Sequence, residues 1–204
     1  MARSRTGDRA GARRPATPRS TTPPPPDDAS PAPSVASATL PRVWQGVGYR
    51  PVADPAGARA LFDFAAIPWP EHAAFAWGAS MAGDDGGERL VGVIVAERHR
   101  TTAMLHGPVV DTPTAGRVGV PTDPPLDPLE IATQLVTAAM DHATALGAAT
   151  LYTRPHGLDR VWIRLGFIPV PEVALPAALA GRPGAGLYAW RGGTALWTLR
   201  EASQ

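Results

Sequence analysis

Residues with usable proton chemistry gather in the middle of the chain. Glu97 and His99 close the run "RLVGVIVAERH", and His106 and Asp111 lie in "TAMLHGPVVD". An imidazole titrates near neutrality, which suits His106 to take up and release a proton. Tyr152, in "ATLYTR", adds a phenol with a proton to give. Other chemistries are excluded by what the chain lacks. It has no cysteine, so disulfides, thiolate ligands and a cysteine nucleophile are ruled out. No spacing of His, Asp or Glu suggests a metal centre, and no metal is expected. Neither a nucleophile-elbow serine nor a Gly-Lys-Ser/Thr phosphate loop is present. His142 and His156 read as surface residues.

These residues are held by elements that can be read in order. "WQGVGYRPV", 44–52, predicts a first strand, and "DPAGARALFDFAAI" a helix capped by Asp54 with Pro55 at its first position. "HAAFAWGASM", 72–81, is strand or helix by composition. The turn "GDDGGE" and the strand "RLVGVIVAE" after it favour a hairpin. With "TAMLHGPVVD", 102–111, this makes an antiparallel meander of three strands. "LDPLEIATQLVTAAMDHATALG" predicts a long helix. Asp127 caps it, Pro128 begins it, Glu130 completes a capping box and Gly147 stops it. Ile131, Leu135, Val136, Ala139 and Ala143 form its apolar stripe. "ATLYTR" returns to the sheet, and the crossover makes it a parallel neighbour of 102–111. "LDRVWIRLGF" reads as a short helix stopped by Gly166. Loops follow to Gly186, and then a hairpin around Gly192 and Gly193.

The 204 residues fit one domain with a tail. Residues 1–42 hold nine Pro, no aromatic residue and seven Arg against three carboxylates. Such a segment cannot offset its ordering entropy and is expected to be disordered. The folded domain is expected over 43–204, which carries a net charge of about −3. The basic balance belongs to the tail, where a solvated extension is favoured over a nucleic-acid contact. All basic residues are Arg, a compositional bias in which no single Arg stands out. No apolar run approaches the ~20 residues of a membrane span, so no membrane partner is expected. The N-terminus lacks a secretory apolar core, making the cytoplasm the default compartment.

In this order and spacing, "LHGPVVD" at 105–111, "LVTAAMDHATALGAATLY" and "VWIRLGF" at 161–167 resemble the GNAT family of acyl-CoA-dependent N-acetyltransferases, over roughly 43–201. The resemblance implies an α/β (α+β) fold. Its central sheet is mixed and mostly antiparallel, with a splayed parallel strand pair and helices on both faces. Acetyl-CoA would be the co-substrate, its pantetheine arm lying in the gap beside Pro108, Val109 and Val110. Gly107-Pro108 fits that idea, because proline cannot donate to a ladder and belongs at an edge or bulge. The implied function is acyl transfer to an amine of a small molecule or peptide in a direct ternary complex. His106 would be the base, with Glu97, His99 and Asp111 as alternatives. A homodimer is left open.

Two features depart from the family. Its pyrophosphate loop has Arg or Gln, two residues, Gly, one residue, then Gly or Ala, feeding the long helix. Here those positions are Asp127, Glu130 and Ala132, with Ile131 between the last two. Carboxylates facing phosphates at close range cost about 1–4 kcal/mol at effective dielectrics of about 20 to 80. Gly116, Arg117 and Gly119 in "AGRVG" could cover the phosphates instead. The second departure is Trp162, where the family commonly has a Tyr as general acid. An indole can pack against a cofactor but cannot protonate a thiolate. Tyr152 or solvent would serve. The alternative function is therefore a domain of the same fold that senses a ligand without turnover. The acceptor is expected to be small and weakly charged rather than strongly cationic.

Overall fold

The computed structural model describes residues 40–53, 55–83, 86–111, 127–180 and 196–199. The tail to residue 39, the "AGRVG" residues Gly116, Arg117 and Gly119, Asp54, and the turn around Gly192 and Gly193 lie outside them.

Among the described residues eight strands make one sheet: β1 (Arg42–Trp44), β2 (Val47–Pro51), β3 (Ala73–Ala82), β4 (Glu88–His99), β5 (Thr102–Val110), β6 (Thr150–Thr153), β7 (Phe167–Pro169) and β8 (Trp197–Leu199). Their order across the sheet is β1-β2-β3-β4-β5-β6-β8-β7. Only β5 and β6 run parallel; every other neighbouring pair is antiparallel. Among the described residues three α-helices accompany the strands: α1 (Pro55–Phe64), α2 (Pro128–Ala145) and α3 (Asp159–Arg164). No described helix is long and apolar enough to cross a membrane.

The expected first strand is two strands. Gln45 and Gly46 both have positive φ, 49° and 77°, the geometry of a two-residue hairpin turn, and Trp44 pairs with Val47 across it. The segment after α3 is also more regular than expected. Phe167–Pro169 pairs with β8, which sits between it and β6. Three residues give too short a run for a period to show, so the pairing partner decides.

α2 forms where its caps demand. Asp127 Oδ1 accepts the Leu129 N–H at 2.9 Å, and Gly147, at φ 88°, donates its N–H to Thr144 O at 2.8 Å. The other half of the capping box is not formed. Glu130 instead accepts from Gln134 at 2.9 Å and pairs with Arg164 of α3 at 3.2 Å. A guanidinium offers the carboxylate more than a backbone amide does.

α2 covers one face of the sheet. Its Ile131, Ala132, Leu135, Val136 and Ala139 pack with Trp77, Ile94, Leu105, Leu151 and Trp162. On the other face, Ala58 and Phe62 of α1 meet Ala76, Val93, Val95 and Val109. Further along that second face, Met104 and Tyr152 pack with Leu175, Leu179 and Leu196.

Candidate active site

The parallel pair opens partway along. β5 and β6 are in register from Thr102 opposite Thr150 to Leu105 opposite Thr153, and there the pairing stops. β5 runs on to Val110 with β4 as its strand partner, whereas β6 ends at Thr153. At the point of divergence the Thr153 hydroxyl donates to Leu105 O at 3.0 Å. A side chain thus satisfies the first carbonyl that the ladder leaves behind.

Just past the fork, β5 bulges against β4 between Val93 and Val95. Gly107 occupies the bulge with φ 97°. A Cβ there would lie 3.1 Å from Val109 N and 3.2 Å from Val93 O, both backbone atoms, so no other residue fits without moving the strand. Pro108 follows and is buried. Asp111 N donates to Val91 O at 2.8 Å. Alternation along an extended strand then turns the Val110 N–H away from β4, toward the side β6 has left. Val109 is buried against Phe62 and Ala58, and Val110 is half-buried against the α2-side core.

His106 projects from the face opposite α2, alongside Met104. Register brings Glu97 to the same face, since Glu97 pairs with Met104 and Val95 with His106. The His106 Nε2 lies 3.6 Å from Glu97 Oε2. Both side chains are buried, Glu97 to 1% exposure. Nε2 has no hydrogen-bond partner among the described residues. Glu97 Oε1 accepts from His72 N at 3.4 Å. Of the alternative bases, Glu97 therefore joins His106, whereas Asp111 is paired with Arg89 at 2.7 Å and His99 ends β4 away from this pair. Among the described residues no group of three His, Cys, Asp or Glu could hold a metal ion.

Two polar residues follow, one on β6 and one directly after it. The Tyr152 hydroxyl donates to Ala174 O at 2.7 Å, which ties down the loop after β7. Arg154, 7% exposed, clasps Glu172 of that loop through both terminal nitrogens, at 2.5 and 2.7 Å. This holds the Glu172 carboxyl below its ordinary range, the guanidinium hydrogen bond outweighing the opposing effect of burial. His156, in the break after β6, is kept below the ordinary imidazole value, first by desolvation and then by His106 and Arg154. The influence of those two places all three groups in one electrostatic neighbourhood. Nothing in the sequence singles out Arg154 or Glu172. In a chain with so many Arg, only the pairing across 18 residues marks this one.

The remaining expected residues sit elsewhere. Ile131 and Ala132 are buried in the α2-side core. The N–H groups at the helix start are engaged: Leu129 with the Asp127 side chain, and Glu130 and Ile131 with Asp127 O, at 3.0 and 3.1 Å. Trp162, expected against a cofactor, is wholly enclosed and packs edge-on to Phe167 with centroids 4.9 Å apart. Glu130, paired with Arg164, also helps raise the buried Tyr49 phenol to about 12, after the larger effect of burial. His142, expected at the surface, is buried between Phe75 and Trp77, with centroids 4.6 and 5.9 Å away.

An open parallel pair with a bulged inner strand, and a long helix crossing between its members, is the fold of the GNAT acetyltransferases. The chain is similar to an acetyltransferase of the GNAT family from Staphylococcus aureus Mu50, with a TM-score of 0.50 and 12% identity over 75% of this chain and 98% of that one. It is also similar to N-acetylglutamate synthase from Neisseria gonorrhoeae, solved with coenzyme A and N-acetyl-glutamate. There the TM-score is 0.47 and the identity 12%, over 79% of this chain and 36% of that one. No family model matches the chain, and no curated protein matches it in sequence.

Proposed function

We propose that the protein is an acyl-CoA-dependent N-acyltransferase, moving an acyl group, most simply acetyl, to an amine of a small molecule or peptide. The observation that carries this reading is the fork past Leu105 and Thr153, with the buried Glu97–His106 pair beside it. An acyl thioester lying along β5 would have its carbonyl oxygen near the Val110 N–H. A fixed backbone donor at that place stabilises the charge that develops as the amine attacks. A C–N bond forms and the C–S bond breaks. The amine proton passes to the Glu97–His106 pair, and the departing thiolate takes a proton from solvent. Solvent is preferred to Tyr152, whose hydroxyl is committed to Ala174 O. Positioning two reactants in one slot supplies much of the rate, with no covalent enzyme intermediate. Pro108, Val109 and Val110 would flank the pantetheine arm. The self-capped start of α2 leaves the phosphates to other donors, for which Gly116, Arg117 and Gly119 are proposed.

The test is release of free thiol from acetyl-CoA across a panel of amines. Amine-dependent release supports the reading, and failure of acetyl-CoA to raise the thermal midpoint overturns it, because a ligand of the native state must raise that midpoint. The second reading, a sensor without turnover, is favoured by the engaged N–H groups of α2 and the tied Tyr152. A raised midpoint without thiol release would select it.

A further inference from the structure

Arg154 is the residue directly after the last laddered position of β6, and its placement exceeds what a loop tether needs. Its side chain leaves water almost entirely, yet the partner that compensates it, Glu172, is 53% exposed and belongs to a short 3-10 turn, Glu172–Ala174. Taking a guanidinium out of water is costly unless its N–H groups are met. Only two of its three nitrogens are; Nε is buried with no hydrogen-bond partner among the described residues. A surface loop could be held by an exposed Arg at no such cost. Tyr152 already ties the same loop two residues on. Arg154 lies one residue past β6 and grips the same loop that the Tyr152 hydroxyl ties, on the side of the sheet where Tyr152 packs with Met104 and Leu175. The depressed His156 pKa agrees, since both His106 and Arg154 contribute to it.

Resting on the acyltransferase reading, we propose that Arg154 is the specificity-determining residue for the acceptor, and that the acceptor is an amine that also bears a carboxylate. Glu172 holds the place of that carboxylate when no acceptor is bound. The planar fork of Arg154 already receives a carboxylate through two parallel N–H···O bonds, the geometry an acceptor's carboxylate would reproduce. The exchange is open to Glu172 because its other side faces solvent, so its charge returns to water. The acceptor's amine would then be drawn to the same sheet face as the Glu97–His106 pair. No new bond is made; one ion pair replaces another.

The experiment compares α- and ω-amino acids with the matching carboxamides, in wild type and in Glu172→Gln. Thiol release from acetyl-CoA gives kcat and KM, and thermal shift without acetyl-CoA gives binding alone. Wild type should favour the acids. Glu172→Gln should lower KM and Kd for the acids by about tenfold, the difference between a charged and a neutral competitor for the guanidinium, and leave the amides unmoved. Arg154→Gln should erase the preference. If acids bind selectively and Glu172→Gln tightens them while no thiol is released, the Arg154 site stands and the acyltransferase reading fails. If acids and amides are indistinguishable in wild type and Glu172→Gln, or neither binds, the proposal is overturned whatever the amines that turn over. The Glu172 substitution lies at the surface, so it decides the matter even if Arg154→Gln does not fold.

Discussion

On the face of the sheet that α2 covers, Trp77, Ile94, Leu105, Leu135 and Trp162 are buried together, whereas the opposite face holds Glu97, His106 and Arg154 buried beside Met104 and Tyr152. The first face is held mainly by shape, although His142 is buried there too. Its residues can be exchanged for others of similar volume at modest cost. The second carries ionisable groups that packing alone would not select, since each must be compensated to remain out of water. Three buried ionisable groups stand at the point where two strands separate, and it is on this face that the proposed chemistry would take place.

The contrast can be broken from either side. The largest effect is expected on the polar face. Glu97→Gln should reduce kcat/KM for amine acylation by about 10²–10⁴-fold, the usual contribution of a positioned base. Its thermal midpoint should stay near that of wild type, because the amide matches the carboxyl in size and keeps an oxygen that can accept from His72 N. A midpoint that collapses together with activity would make Glu97 a structural residue. On the packing face, Leu135→Ala should cost about 2–5 kcal/mol in denaturant unfolding. Any activity that remains should come from the fraction still folded.

His142 sharpens the comparison, being the one buried imidazole on the packing face among the described residues. Burial lowers its pKa, so the folded state prefers the neutral ring and the unfolded chain binds the proton more readily. Stability should therefore fall as pH drops through the ordinary histidine range near 6.5, by at most about 1.4 kcal/mol per pH unit. His142→Leu should remove that part of the dependence, read as the difference between the two midpoint–pH curves. Smallest is Thr153→Val, which deletes the hydroxyl that closes the fork. It should cost about 1 kcal/mol, plus a penalty if Leu105 O finds no water.

Much of this arrangement is legible in the chain. The Asp127-Pro128 start and Gly147 stop locate α2, and the crossover rule places β6 beside β5 in parallel. Gly107-Pro108 marks the bulge, because neither residue suits the middle of a regular ladder. Relations fixed only by register or by distant partners are hidden. Glu97 reaches His106 because β4 and β5 pair with Glu97 opposite Met104, a detail that a one-residue slip would reverse. Arg154 and Glu172 look like two ordinary charges until the loop after β7 folds back. His142 reads as a surface residue because a single histidine on a helix carries no mark of what packs over it. That Trp162 is enclosed against Phe167 is hidden likewise, since one aromatic residue in a short helix carries no mark of what surrounds it.

The Thr153 hydroxyl at the fork has one further consequence. Because the separation of β5 and β6 is finished off within the chain itself, no arriving molecule has to unzip the sheet to make room. On the proposed reading, the cost of parting the strands falls on folding, and the binding energy of an acyl thioester beside β5 could go toward holding it.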